Sequence, residues 1–155
     1  MQLPLSSAIA EKFPKIYLYR RIVQAKIFID DHYSENINLN DIADEAFFSK
    51  FHFMRLFKIT YGKTPHQYLT SVRIEKAKLL LQTNTSIADV CFSVGFDSIS
   101  SFTGLFKRMT STTPSHYQQQ QLKRKEEISE APLNFIPNCF AEQNGWKKNS
   151  NFQEV

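Results

Sequence analysis

A chain of 155 residues with 42% apolar side chains, 22% charged ones and 14 phenylalanines can build an aromatic core, which excludes wholesale disorder; it has length for one compact body or two very small ones, without room for a second large domain. The net charge of +4 is modest, but it is unevenly spread. Residues 30–45 carry Asp30, Asp31, Glu35, Asp41, Asp44 and Glu45 with no Lys or Arg, whereas residues 46–78 carry seven basic side chains against Glu75 alone, a field suited either to a solvated face or to a polyanion.

With only four glycines, no alternating Val/Ile/Thr run, and apolar residues at three- and four-residue spacing over 20–120, the chain reads as all-α. A first helix is predicted over 20–33, with Ile22, Ala25, Ile29 and Tyr33 as its stripe. Asn38 or Asn40 caps a short second helix over 39–47, which turns Leu39, Ile42, Ala43 and Ala46 inward. Ser49 caps a third helix over 50–61, ended by Gly62. Pro65 opens the longest, over 65–82, with Tyr68, Leu69, Val72, Ala77, Leu80 and Leu81 as apolar positions. The segment 84–86 caps a fifth helix over 87–94, Gly95 turns the chain, Ser98 caps a sixth over 99–109, and Pro114 opens a seventh that fades into Gln118–Gln121.

Helices two and three return as helices five and six. At an offset of 49 residues, Ser49 pairs with Ser98, Phe53 with Phe102, Phe57-Lys58 with Phe106-Lys107, Thr64-Pro65 with Thr113-Pro114, and Tyr68 with Tyr117. Before the turn the offset is 48, pairing Leu39 with Ile87 and Ala46 with Val94. Each copy is a short helix, a tight turn and a longer helix, the parts of a helix-turn-helix.

Helical phase sharpens this reading. With Phe53 taken as origin and about 100° per residue, Leu56, Phe57 and Thr60 fall inward, and Phe51, Met54, Arg55 and Lys58 point away. A groove-reading helix needs such a set: Arg for guanine, apolar groups for the thymine methyl, Lys for phosphate. The second copy buries Phe102, Leu105, Phe106 and Met109 and presents Ser100, Thr103, Gly104 and Lys107, a smaller face suited to backbone and groove shape. A linker helix of about 18 residues, ~27 Å long, would hold the two faces about one turn of B-DNA apart, ~34 Å.

Ile42-Ala43-Asp44-Glu45, the run from Phe53 to Lys58, Gly62-Lys63-Thr64-Pro65, Tyr68, Arg73, Ala77 with Leu79-Leu80, Val94-Gly95-Phe96, Phe102, Phe106-Lys107 and Thr113–Tyr117 together resemble the DNA-binding region of the AraC/XylS family of bacterial transcription regulators, over residues 21–121. The resemblance implies seven helices in two tandem helix-turn-helix subdomains joined by a long linker helix. It also implies binding to an asymmetric double-stranded DNA site and, often, activation through contact with RNA polymerase. Base contacts carried across by position fall on Lys50, Phe51, Met54 and Arg55, and on Ile99, Ser100, Thr103 and Gly104; Lys58 and Lys107 lie at or near phosphate, and Ser49, Lys63 and Ser98 complete the DNA-facing set. Gly104 stands where that family often has Arg, and Ser111 replaces the glycine expected before Thr113-Pro114.

The expected organisation is an N-terminal extension over 1–20, a first subdomain with linker helix over 21–82, a second over 83–121, and a tail over 122–155 that is either disordered or docked on the body or a partner. Met1 and the short extension favour a stand-alone, monomeric protein over a fragment. Arg73 reads as a tie between lobes. His32, His52, His66 and His116 lack metal or triad spacing and read as capping, packing or phosphate-adjacent groups, so no enzyme, metal or cofactor is expected. Cys91 and Cys139 suggest no disulfide, and no export or membrane-spanning segment is present in the sequence, which fits the cytoplasm. The alternative from another class is a helical protein-interaction module with Phe51 and Met54 as anchors.

Overall fold

The three- and four-residue apolar spacing coils the chain into eight α-helices among the residues that the computed structural model describes, 16–45 and 49–145. These are α1 (Ile16–His32), α2 (Leu39–Glu45), α3 (Lys50–Tyr61), α4 (Pro65–Leu80), α5 (Ile87–Ser93), α6 (Ile99–Thr110), α7 (Pro114–Glu130) and α8 (Asn138–Gln143), with a 3-10 turn at Pro132–Phe135. No strand occurs among the described residues.

Two cores form, and α4 belongs to both. Ile22, Ala25 and Ile29 of α1, Ile42 and Ala43 of α2, Phe53 and Phe57 of α3 and Leu69 of α4 close the first. Ile74 and Ala77 of α4, Leu81, Val90 and Cys91 of α5, Val94, Phe96, and Phe102 and Phe106 of α6 close the second. The repeat survives in aromatic geometry. Phe53–Phe57 and Phe57–Tyr68 meet edge to face at 5.5 and 5.6 Å, and Phe102–Phe106 and Phe106–Tyr117 do so at 5.6 and 5.5 Å. Pro65 and Pro114 open α4 and α7, and the hydroxyls of Thr64 and Thr113 accept from the amides of Gln67 and His116.

The lobes are joined at the end of α1. Arg73 of α4 donates from Nε to the Tyr33 carbonyl and from a terminal nitrogen to the Glu35 carbonyl, each at 2.7 Å, while its guanidinium lies 5.6 Å from the centre of the Phe96 ring. Burial lowers the Arg73 pKa, with Asp97 acting in the opposite sense. Gly95, at φ +86°, sits so close that a β-carbon there would come 2.8 Å from the Ser34 carbonyl oxygen and 2.9 Å from that of Tyr33. Arg73 is therefore the interlobe tie that the sequence suggests. Within the first lobe, Tyr68 donates to Asp30 at 3.0 Å, and Lys26 pairs with the same carboxylate. That pairing, with the Tyr68 hydroxyl, holds the Lys26 ammonium above its usual pKa.

The sequence-based expectations need several corrections. The first helix begins at Ile16, four residues before the expected start, its outer turns carrying exposed Tyr17 and Tyr19 that break no helical rule. Asn38, not Asn40, caps α2: its side chain accepts from the amides of Asn40 and Asp41 at 2.8 and 3.3 Å, and the Asp41 carboxylate in turn accepts from the Asn38 amide at 2.7 Å. The expected end of that helix at Phe47, including inward Ala46, lies outside the described residues, as do residues 1–15 and 146–155. Thr60, Leu80 and Met109 are exposed, whereas Ile74 is fully buried. These positions lie at the ends of helices or on the shared linker, where the direction of the neighbouring lobe outweighs ideal phase.

The seventh helix does not fade at Gln121. It continues to Glu130 through good helix formers, with Lys123 and Glu127 paired one turn apart at 3.8 Å, and stops at Ala131 before Pro132. The 3-10 turn packs on α7, and α8 follows, so the described part of the tail is helical and the helix count rises from seven to eight. Neither segment shows an apolar stripe of the kind that marks the other helices.

Candidate nucleic-acid interface

The geometry of α3 follows from its burial pattern. Phe53 and Phe57 are fully buried against α1 and α4, which forces the residues half a turn away into solvent. Phe51 is 81% exposed, and Lys50, Arg55 and Lys58 are exposed beside it. Met54, expected outward, is half-buried. Ser49 stands at the N-cap with extended backbone, but its side chain makes no capping bond; the anticipated hydroxyl cap is absent there. The helix ends at Gly62 in the left-handed region, φ 70°, its amide donating to the Lys58 carbonyl.

Helix α6 repeats the construction. Phe102 and Phe106 are fully buried, Ile99, Ser100, Gly104 and Lys107 are exposed, and Thr103 is half-buried. Ser98 does cap this helix, accepting from the Ser101 amide at 3.3 Å, so its hydroxyl is engaged locally. A β-carbon added at Gly104 would meet nothing within 4 Å. Ser111 occupies the position equivalent to Gly62 and adopts the same left-handed backbone, φ 64°, with its amide on the Lys107 carbonyl. The structure thus keeps the conformation that glycine would supply and places a serine in it.

All the basic side chains of the two outward stripes are solvent-exposed: Lys50, Arg55 and Lys58 in one copy, Lys107 in the other. Lys63, just past α3, is exposed and donates to the Ser71 hydroxyl at 2.9 Å. The two copies place Lys58 and Lys107 identically, one turn before the left-handed cap. Arg108, outside the stripe that helical phase assigns to α6, is exposed at its edge, one turn beyond Gly104. Its spacing was available in the sequence; the side of α6 that faces α4 was not. Among the described residues, no group of three or more His, Cys, Asp or Glu could hold a metal ion, and no helix is long and apolar enough to cross a membrane.

Residues 42–120, just over half of the chain, match the sequence pattern of a helix-turn-helix domain family. A solved AraC-type DNA-binding regulator from Chromobacterium violaceum superposes with a TM-score of 0.63 at 27% identity, over 67% of this chain and 94% of that one. The chain belongs to the AraC-type helix-turn-helix family. The AraC-type chain is 34% identical over 97 residues to the TetD protein of transposon Tn10 from Escherichia coli, covering 62% of itself and 70% of TetD. It is 37% identical over 93 residues to AdaA of Bacillus subtilis, a bifunctional transcriptional activator and DNA repair enzyme, covering 59% of itself but only 44% of AdaA. It therefore spans less than half the length of that relative. The DNA-binding domain of AdpA, solved in complex with a target DNA, aligns with a TM-score of 0.62 at 25% identity, over 72% of the AraC-type chain and 96% of that domain. The family is one of DNA-binding transcription regulators, and its two helix-turn-helix units are the two lobes described above.

Proposed function

We propose that this chain is a sequence-specific, double-stranded DNA-binding regulator that lays α3 and α6 into successive major grooves on one face of the duplex. The observation that carries the reading is the outward stripe of α3, with Phe51 and Arg55 in solvent over fully buried Phe53 and Phe57, together with its echo 49 residues later. Lys50, Phe51, Met54 and Arg55 read bases in the first groove; Ile99, Ser100, Thr103 and Gly104 follow the second. Lys58, Lys63 and Lys107 meet phosphate, with Ser49 and Ser98 at the helix starts beside it. Linker helix α4, 16 residues or about 24 Å long, sets the spacing between the units. The fold shared with the AdpA domain, whose structure holds DNA, supports this placement.

The finer functional reading is a cytoplasmic, non-enzymatic activator that binds as a monomer and touches RNA polymerase. The activator names of relatives such as AdaA support the direction of regulation. A second reading, a helical module that binds a regulator or polymerase without touching DNA, draws on the exposure of Phe51, a side chain that interfaces use as an anchor. Selection of bound fragments from random-sequence duplexes by the purified chain separates the two. On the selected site, Arg55→Ala should lose about 1–3 kcal/mol of binding and relax discrimination at one base pair. Failure to enrich any duplex, or an affinity that does not fall with salt, would remove the DNA reading in favour of the second.

A further inference from the structure

One feature of the molecule has no counterpart in the repeat. An open cleft of about 530 Å³ lies between the first turns of α4 and the last turns of α6, and both lobes line it: Lys63 and His66 on one side, Arg108 with apolar Leu105 and Met109 on the other. Thr70 and Ser71 add hydroxyls, and none of the lining residues is acidic. At the 49-residue offset, Lys63 corresponds to Thr112, His66 to Ser115 and Arg108 to Ile59. Lys63 and Arg108, the two cations of the cleft, therefore belong to the junction between the units and not to the helix-turn-helix plan that both share.

These groups are gathered along one cleft. Arg108 follows Gly104 by four residues, so its side chain leans back over the turn that the glycine leaves bare, and a β-carbon at Gly104 would find no atom within 4 Å. The cation that the first unit presents as Arg55 is shifted in the second by one turn toward α4. Lys63 is held along α4 by its 2.9 Å bond to the Ser71 hydroxyl, which in turn donates to the Gln67 carbonyl at 2.8 Å. An open cleft suits an extended polyanion better than a small molecule, which binds where most of its surface is enclosed.

We propose that this interlobe cleft clasps the sugar-phosphate strand where the duplex crosses from the groove of α3 to the groove of α6, with Arg108 and Lys63 as phosphate contacts and His66 and the Thr70 hydroxyl as hydrogen-bonding neighbours. This rests on the DNA reading given above. The clasp is blind to sequence. Its effect is to fix the rotational setting of the duplex under a second unit whose own face is small and weakly polar.

The test uses the intact chain and the duplex it selects, with a scrambled duplex beside it, and follows affinity by fluorescence anisotropy from 50 to 200 mM salt. Arg108→Ala and Lys63→Ala should each weaken binding to both duplexes by the same factor and lower the salt slope by about 0.9, so that the variant's disadvantage narrows about 3.5-fold across that range. Arg108→Lys should keep the slope. Ethylation interference should mark phosphates between the two grooves with the parent chain and lose them with Arg108→Ala. Circular dichroism and the urea midpoint confirm that the variants fold. An unchanged slope in both alanine variants, with Arg55→Ala still losing discrimination, overturns the clasp and leaves the groove reading standing. Loss of discrimination with Arg108→Ala would make it a base contact and overturn the clasp as well. A parent chain that prefers no duplex removes both.

Discussion

Gly95 and Gly62 both hold left-handed backbone, at φ +86° and +70°, yet only Gly95 is crowded. Placing alanine at either position costs about 1–2 kcal/mol for the unfavourable backbone region. At Gly62 nothing lies within 4 Å of the added carbon, so the loss should stop there. At Gly95 the new carbon meets backbone atoms of Tyr33 and Ser34 at 2.8–2.9 Å, and backbone cannot swing aside as a side-chain tip does. Relieving that overlap moves the end of α1 away from the second lobe, a repacking cost of about 1–3 kcal/mol. It also strains the bond from Arg73 to the Tyr33 carbonyl. Gly95→Ala should therefore lose about 2–5 kcal/mol in urea unfolding and Gly62→Ala about 1–2, with similar m-values. Equal losses in the two variants would refute the close approach as the element that joins the lobes.

Other expectations follow from single contacts. Ser111→Gly should raise stability by about 0.5–1 kcal/mol, since the left-handed cap is already formed and glycine removes its steric cost; a lower urea midpoint would contradict this. Phe53→Ala should lose about 3–5 kcal/mol, while Phe51→Ala should change stability by less than about 0.5 kcal/mol and weaken binding to the selected duplex. Losses of similar size on denaturation would show that the two faces of α3 are misassigned. A thiol reagent should modify Cys139 in the native chain and reach Cys91 only on unfolding, because Cys139 is exposed whereas burial and the nearby Asp97 push the Cys91 thiol pKa up. Mass spectrometry of native and unfolded samples checks this, and rapid native labelling of Cys91 would contradict it.

The helical class, the repeat and the outward stripe of α3 were legible in the residues because each rests on local periodicity. Phe53 and Phe57 at four-residue spacing, Gly62 after Tyr61 and Thr64 before Pro65 specify a helix, its inner face and its ends without reference to distant parts of the chain. The same holds for Phe102, Phe106, Thr113 and Pro114, 49 residues on, whereas Ser111 stands where a second glycine would announce the helix end. Where local signals weaken, so did the reading: α7 beyond Gln121 and α8 lack a strong apolar stripe, and Ser49 occupies an N-cap without making its bond.

What only the tertiary structure decided is how one lobe meets the other. Ile74 and Leu80 look alike as apolar linker residues, yet Ile74 is buried in the second core and Leu80 is exposed, since the burial of α4 changes from one lobe to the other along its length. Arg73 could be read as a tie, but its acceptors, the carbonyls of Tyr33 and Glu35, are backbone groups that no side-chain pattern announces. The meeting of Lys63 with Arg108 across a cleft joins residues 45 positions apart, and it depends on the orientation of two separate cores. Periodicity defines the face of each helix; the direction in which two such faces are held comes from α4 running through both cores, from Arg73 on the Tyr33 and Glu35 carbonyls, and from the close approach of backbone at Gly95.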